Sequence, residues 1–207
     1  MYIPKHYQNN NQEALIAFIK AHPFGILVTQ GESAPWATHL PFMLQGDAQS
    51  GFHLVGHLSK ANPQWKAFAN QKEVLVVFNG PQHYISASWY KEEEVPTWDY
   101  IAIHAYGPIT IMNDEELITA LHQLVNHHEK GEKKPLDLSK MSLQTLEQYK
   151  GVIGFSIAVN KLEGAYKLSQ TRKEDHANIT TELLEKESFQ ATEIAKAIQR
   201  EVKKNKQ

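Results

Sequence analysis

From residue 24 to residue 112 the chain consists mainly of short β-prone runs, and they do not alternate with helices in the regular way a parallel sheet requires. That order constrains the fold more than any other feature. FGILVTQ (24–30) and APWATHLPFML (34–44) flank the turn residues Gly31, Glu32 and Ser33, which predicts a β-hairpin. GFHLVGHL (51–58) predicts a third strand. EVLVVFNG (73–80), bounded by Gly80-Pro81, predicts a buried one. HYISASWY (83–90) is aromatic and β-prone, and KEEE (91–94) is a polar turn. TWDYIAIHAYGPITIM (97–112) predicts a long strand broken or bulged at Gly107-Pro108. GVIGFSIAVNKLEGAYKLSQ (151–170) predicts two strands around a turn at Glu163-Gly164.

Helical signals are fewer. EALIAFIKA (13–21) has apolar residues at helical spacing, and His22-Pro23 ends it because a residue before proline is pushed out of the helical region. Within SKANPQWKAFAN (59–70), Asn62 can cap a helix whose first turn takes Pro63. Asn113 or Asp114 opens DEELITALHQLVNHHEKG, with acids in its first turn and Gly131 at its end. A further helix is expected at 142–149, and the chain from 171 on is expected to be helical and polar, ending in the basic tail KKNKQ. The predicted class is mainly β with α: an antiparallel barrel with peripheral helices. Residues 1–170 form the barrel domain, with helices inserted at about 114–149, and 171–207 form a C-terminal helical extension.

Several function classes are excluded. The chain has no cysteine, which removes thiol catalysis, disulfides and Cys-type zinc sites. Its formal net charge of −2 argues against direct DNA binding. MYIPKHYQNNNQ has no apolar signal-peptide region and no run approaches the ~20 apolar residues of a membrane span, so a cytoplasmic chain with no membrane partner is expected. Eleven histidines show no familiar metal-ligand spacing, so no metal site is expected. Neither a nucleophile elbow nor a Gly-rich nucleotide loop occurs.

Three segments carry candidate chemistry. In GHLSKANPQWK (56–66) a strand ends at Leu58 and a capped helix begins near Pro63, with Ser59, Lys60 and Asn62 between them. A hydroxyl and an ammonium beside free helix N–H groups suit a phosphate, although an ordinary loop with a solvated Lys60 has the same pattern. In KLSQTR (167–172), alternation places Lys167 and Ser169 on one face and Leu168 and Gln170 on the other, with Arg172 following; a polar strand edge reads the same way. In ATHLPF (37–42), Thr38 and Leu40 share one face and His39 the other. PTWDY (96–100) offers Trp98 as stacking surface for a flat ring, or as a core or interface aromatic.

The ordered blocks MYIPKHY, HPFGILVT (22–29), ATHLPF, GHLSKANPQWK, GPQHYISASWY (80–90), VPTWDY (95–100), VIGFSI (152–157) and KLSQTR resemble those of the PaiB family of FMN-binding negative transcriptional regulators. The resemblance implies a split β-barrel that binds FMN as a homodimer, the cofactor lying in a groove at the dimer interface. It implies that Ser59, Lys60 and Asn62, with Lys66 as a further candidate, hold the phosphate and that the ring lies near Thr38, His39 and Leu40. Lys167, Ser169, Gln170 and Arg172 would approach from the other subunit or the barrel rim. The family often has Ala-Arg where this chain has Ser59-Lys60, Asn where it has Thr171, and Asn where it has Asp99. Lysine keeps the charge of arginine but loses its two-pronged donor geometry. The implied function is a negative regulator that acts indirectly or through flavin or redox sensing. The alternative is an FMN-dependent oxidoreductase, in which NAD(P)H or a small molecule is the partner and Lys167 or Arg172 stabilises reduced flavin. A third reading is haem binding or degradation.

Overall fold

The computed structural model of the chain describes residues 1–204, so residues 205–207 of the basic tail lie outside the described residues. The backbone clusters into two compact units. One holds Met1–Leu15, Phe78–His104 and the chain from Glu163 onward; the other holds Ile16–Val77 and Ala105–Leu162. Among the described residues, no helix is long and apolar enough to cross a membrane.

The larger unit is built on two antiparallel ladders. Strands β2 (Phe24–Gln30) and β3 (Pro35–Pro41) form the expected hairpin, and β2 also pairs with the start of β6 (Val74–Ile85). The second sheet has the order β4 (Met43–Asp47), β5 (Gly51–Ser59), β9 (Val152–Val159), β8 (Ile109–Ile111). Leu27, Leu54, Val76, Phe155 and Ile157 are fully buried, and Phe68 packs edge-on against Phe155 at 5.5 Å. Gly56 makes this core possible: a Cβ there would stand 2.9 Å from both Leu40 and Phe155. Helix α2 (Asp114–His128) starts on a capping box in which Asn113 and Glu116 each accept the other's backbone N–H. Its Leu117 is buried over Gly154.

The smaller unit contains β1 (Gln8–Asn9), paired with β10 (Lys161–Lys167), and the order continues through β7 (Thr97–Gly107) to β6. Helix α1 (Gln12–Ala21) begins here, and its Leu15 would stand 2.4 Å from a Cβ on Gly164. Helices α4 (His176–Leu184) and α5 (Phe189–Lys204) bury Ile179, Leu183, Ile194 and Ile198 completely. The polar C-terminal stretch therefore contains a packed helix pair.

Several expected boundaries move. The run 34–44 is two strands: β3 stays with β2, β4 joins β5, and buried Phe42 donates its N–H to Pro23. The run 97–112 breaks at Gly107-Pro108 as expected, where β7 ends and β8 pairs with β9. Gly80-Pro81 does not end β6; β2 pairs with it over Leu75–Val77, so Pro81, which has no N–H to give, lies beyond that ladder. The turn between β9 and β10 falls at Asn160, whose N–H goes to the Tyr106 carbonyl and whose amide goes to Glu73, and Gly164 is instead a strand residue making room for Leu15. The 59–70 helix is a 3-10 helix over Pro63–Asn70, and the 142–149 helix is a short α3 (Leu143–Leu146) followed by a 3-10 turn.

Gly107 has no room for a side chain, since a Cβ there would lie 1.9 Å from the Ala158 carbonyl oxygen. A Cβ on Gly151 would meet nothing within 4 Å. Gly107→Ala is expected to lower stability by about 2–3 kcal/mol in urea unfolding, while Gly151→Ala changes it by less than about 0.5 kcal/mol.

Candidate functional site

The junction between β5 and the 3-10 helix is organised by one buried amide. Gln64, 2% exposed, accepts a hydrogen bond from the Thr38 hydroxyl at 2.6 Å. Its own NH2 group is shared among Thr29 Oγ1 at 3.0 Å and the carbonyls of Leu27 and Trp36, both at 3.3 Å. Asn62 caps the 3-10 helix by accepting from the Gln64 N–H, and its side-chain NH2 donates to Thr38 at 2.9 Å. Thr38 thus accepts from Asn62 and donates to Gln64. The network ties β2, β3 and the junction into one geometry, and buried polar groups linked this way specify a single arrangement.

What the network leaves outward is cationic. Ser59 and Lys60 are exposed; the Ser59 hydroxyl accepts from the Ala61 N–H, and the Lys60 backbone donates to Gly151. Trp65 donates its indole N–H to the Lys60 carbonyl, which holds the backbone of the turn. The Lys60 ammonium makes no ion pair among the described residues, and Lys66 is likewise exposed. The Ser59 hydroxyl and the Lys60 ammonium, adjacent on this turn, are donors of the kind that fits a phosphate monoester dianion. On β3, His39 and Ala37 face outward, with the His39 ring near-parallel to Phe24 at 6.5 Å. Thr38 is half-buried and Leu40 fully buried in the core beside Gly56 and Phe155.

In the smaller unit, Lys167, Ser169 and Arg172 line a cleft of about 150 Å³ together with Tyr90, Glu94 and Asp99. Asp99 is wholly buried and takes two hydrogen bonds from Ser169, from the hydroxyl at 2.7 Å and from the backbone N–H at 3.2 Å. Ser169 sits in the left-handed region with φ +54°, and the two bonds offset the cost of about 1–2 kcal/mol for that conformation. Burial pushes the Asp99 carboxyl up to about 6, opposed by the Ser169 hydroxyl, by Lys167 and by the Ser169 N–H. Burial lowers the Lys167 ammonium, and the charge of Asp99 opposes that. Lys167 donates to the Thr97 hydroxyl and, at 2.7 Å, to the Trp98 carbonyl. Arg172 pairs with Glu94 and lies over the Tyr90 ring at 4.9 Å. Gln170 turns back onto its own turn, accepting from the Leu168 N–H and donating to the Tyr166 carbonyl. Trp98 is 55% exposed and meets Tyr84 edge-on at 6.2 Å.

The structure therefore gathers Thr38, Asn62 and the Ser59–Lys60 turn in one place, and Lys167, Ser169 and Arg172 in another. Three residues that organise these places carried no recognisable signal. Gln64 follows Pro63 in a first helical turn, where polar residues are ordinary. Glu94 sits in a run of acids that reads as a solvated turn. Asp99 alternates with apolar neighbours as a strand residue does, and only its replacement of the family's frequent Asn set it apart.

A family model described as "Putative FMN-binding domain" matches residues 1–161, a span that includes β3 and the Ser59–Lys60 turn and ends before Lys167. The chain is 38% identical over 206 residues to "Protease synthase and sporulation protein PAI 2" of Bacillus subtilis (strain 168), covering 99% of each. Among solved structures it is similar to the flavocytochrome Anf3 from Azotobacter vinelandii, with TM-score 0.64, 15% identity, and 85% of this chain and 78% of that one covered. It is also similar to the FAD and heme binding protein from Mycobacterium smegmatis, with TM-score 0.61, 15% identity, and coverage of 78% and 73%. At that identity the likeness shows the fold, an antiparallel split barrel with peripheral helices.

Two outcomes follow from these geometries. Gln64→Leu strands Thr38 and Thr29 without their partner and is expected to cost about 2–3 kcal/mol, read from the shift in the urea midpoint. Asp99, raised from 3.8 to about 6, contributes stability that is fully present below pH ~3.8 and is lost as pH rises through ~6, on the order of 3 kcal/mol across that window. Asp99→Asn is expected to remove that component when unfolding free energies at the two ends of the window are compared; an unchanged slope would exclude Asp99 as its source.

Proposed function

The chain belongs to the PaiB-type family of FMN-binding domains, and on that premise we propose that its FMN serves as a redox-responsive group through which the protein controls transcription in the cytoplasm without reading DNA itself. FMN supplies one- and two-electron redox chemistry when bound. The observation that carries the reading is the Thr38–Asn62–Gln64 network, which leaves the Ser59 hydroxyl and the Lys60 ammonium outward on a rigid turn. Ser59 donates to the phosphate, Lys60 neutralises it, and Lys66 adds a second positive charge. Asn62 and Thr38 act one step removed, by holding the turn. His39 stands outward on β3, where it supplies a hydrogen bond to the edge of the ring. Phe24, exposed beside His39 on the outward face of the β2–β3 hairpin, gives a second copy of the chain an aromatic surface to cover, as a homodimer requires. A net charge of −2 supports the indirect route to transcription.

A second reading, an FMN-dependent oxidoreductase, is favoured by Asp99 and Lys167, a carboxyl raised to about 6 and an ammonium lowered by burial beside one cleft. Anaerobic mixing with NADH or NADPH separates the two. Rapid bleaching of the flavin absorbance favours the enzyme, and its persistence favours the sensor.

Lys60→Gln is expected to weaken FMN binding by about tenfold to a hundredfold, followed by flavin fluorescence quenching, because a charge-assisted contact to the phosphate is lost. Its unfolding midpoint stays at the wild-type value, since the ammonium is exposed. Equal FMN affinity in the variant would remove the Ser59–Lys60 turn from the phosphate site.

A further inference from the structure

Arg172 is held more firmly than an ordinary surface cation. Its guanidinium lies over Tyr90 at 4.9 Å, and its backbone N–H donates to the Ser169 carbonyl at 2.8 Å. Ser169 is in turn fixed by buried Asp99 and by His176, whose Nε2 lies 2.8 Å from the same carbonyl. The acid that pairs with Arg172 is held differently. Glu94 belongs to residues 91–96, which form no helix or strand and are all exposed. The ordered half of the pair is the arginine, and the replaceable half is the glutamate.

We infer that the cleft beside Arg172 is a binding site for the anionic head of an acidic small molecule, a carboxylate or a phosphate ester, and that Glu94 occupies it as an internal stand-in. Its volume of about 150 Å³ is well below that of a pocket enclosing a whole drug-sized ligand, roughly 300–1,000 Å³, so only the head enters. Thr171 also lines the cleft, and Lys167 supplies a second cation. A planar guanidinium stacked on an aromatic ring presents its donors in the fork that carboxylate and phosphate oxygens match. With Glu94 seated, the two cations of the cleft face two carboxylates, Glu94 and Asp99. Withdrawal of Glu94 leaves one positive charge in excess for the incoming anion. The inferred ligand is not the flavin that the family resemblance places near Lys167, Ser169 and Arg172, and the FMN-loaded arm of the test separates the two.

The test is calorimetric titration of the full chain, FMN-loaded and flavin-stripped, with inorganic phosphate and with succinate as separate probes of the two head groups. Glu94→Gln is expected to bind at least one probe about tenfold more tightly than wild type, because the competing charge is gone. In the FMN-loaded chain, where the Ser59–Lys60 turn is occupied, Arg172→Gln, alone or combined with Glu94→Gln, is expected to bind neither, and Arg172→Lys to retain part of the affinity. The probe that gains in Glu94→Gln identifies the head group. Half-exposed ion pairs add little to stability, so the Glu94 variant folds; an unchanged urea midpoint verifies it. Equal affinities in wild type and Glu94→Gln overturn the inference, as does binding to the FMN-loaded chain that survives Arg172→Gln. Binding that is lost in Arg172→Gln yet is seen in wild type only after flavin is stripped also overturns it, by assigning the cleft to the cofactor. A chain that takes up no flavin at all fails the preceding reading, and the Glu94 and Arg172 variants then decide this one alone.

Discussion

A neutral amide shut away from water must find partners inside the protein, and Gln64 finds them on two separate strands. Its partners are the Leu27 carbonyl and Thr29 hydroxyl of β2, and the Trp36 carbonyl and Thr38 hydroxyl of β3. Through the Asn62 cap the same network reaches the end of β5. None of these bonds is strong by itself. Their joint effect is that the hairpin and the strand-to-helix turn cannot shift separately without leaving a buried polar atom unpaired. The lysine turn inherits its position from that requirement.

The smaller unit uses a buried charge where the larger uses a neutral amide. Asp99 loses hydration and regains part of the cost from the Ser169 hydroxyl, the Ser169 N–H and the nearby ammonium of Lys167. The compensation is incomplete, which is why its carboxyl titrates higher than a solvated one. The return is geometric: a serine is kept in a backbone conformation that side chains disfavour, and the turn that follows carries Arg172. In both units a polar residue with no access to solvent aims cations that have it.

This division explains which side chains are available for chemistry. Asn62, Thr38 and Ser169 have the right types for ligand contact, yet their hydrogen bonds are already committed within the protein. Leu40 is core. Lys60, Lys66 and His39 remain exposed, and Arg172 is engaged by an acid on an irregular segment. A residue's type nominates it for a role, and its prior hydrogen bonds decide whether the role is open.

Alternation and turn residues were enough to read the β2–β3 hairpin, β5, the capped α2 and the antiparallel class, because each depends on contacts close in sequence. The motif at 56–66 was legible for the same reason: a cap and a first-turn proline are local. The break at Gly107-Pro108 was legible too, from the proline; the strand break at Phe42, the passage of β6 through Pro81 and the turn at Asn160 were not, since each depends on which distant strand supplies the next hydrogen bond. Gln64 and Glu94 escaped notice, and Asp99 stood out only against the family's frequent Asn, because a polar side chain looks the same in sequence whether water or protein satisfies it. The sequence by itself determined the local elements, the class of fold and the chemistry of the exposed donors. Only the tertiary structure decided which polar groups are buried, because desolvation is a property of the packed neighbours and not of the residue.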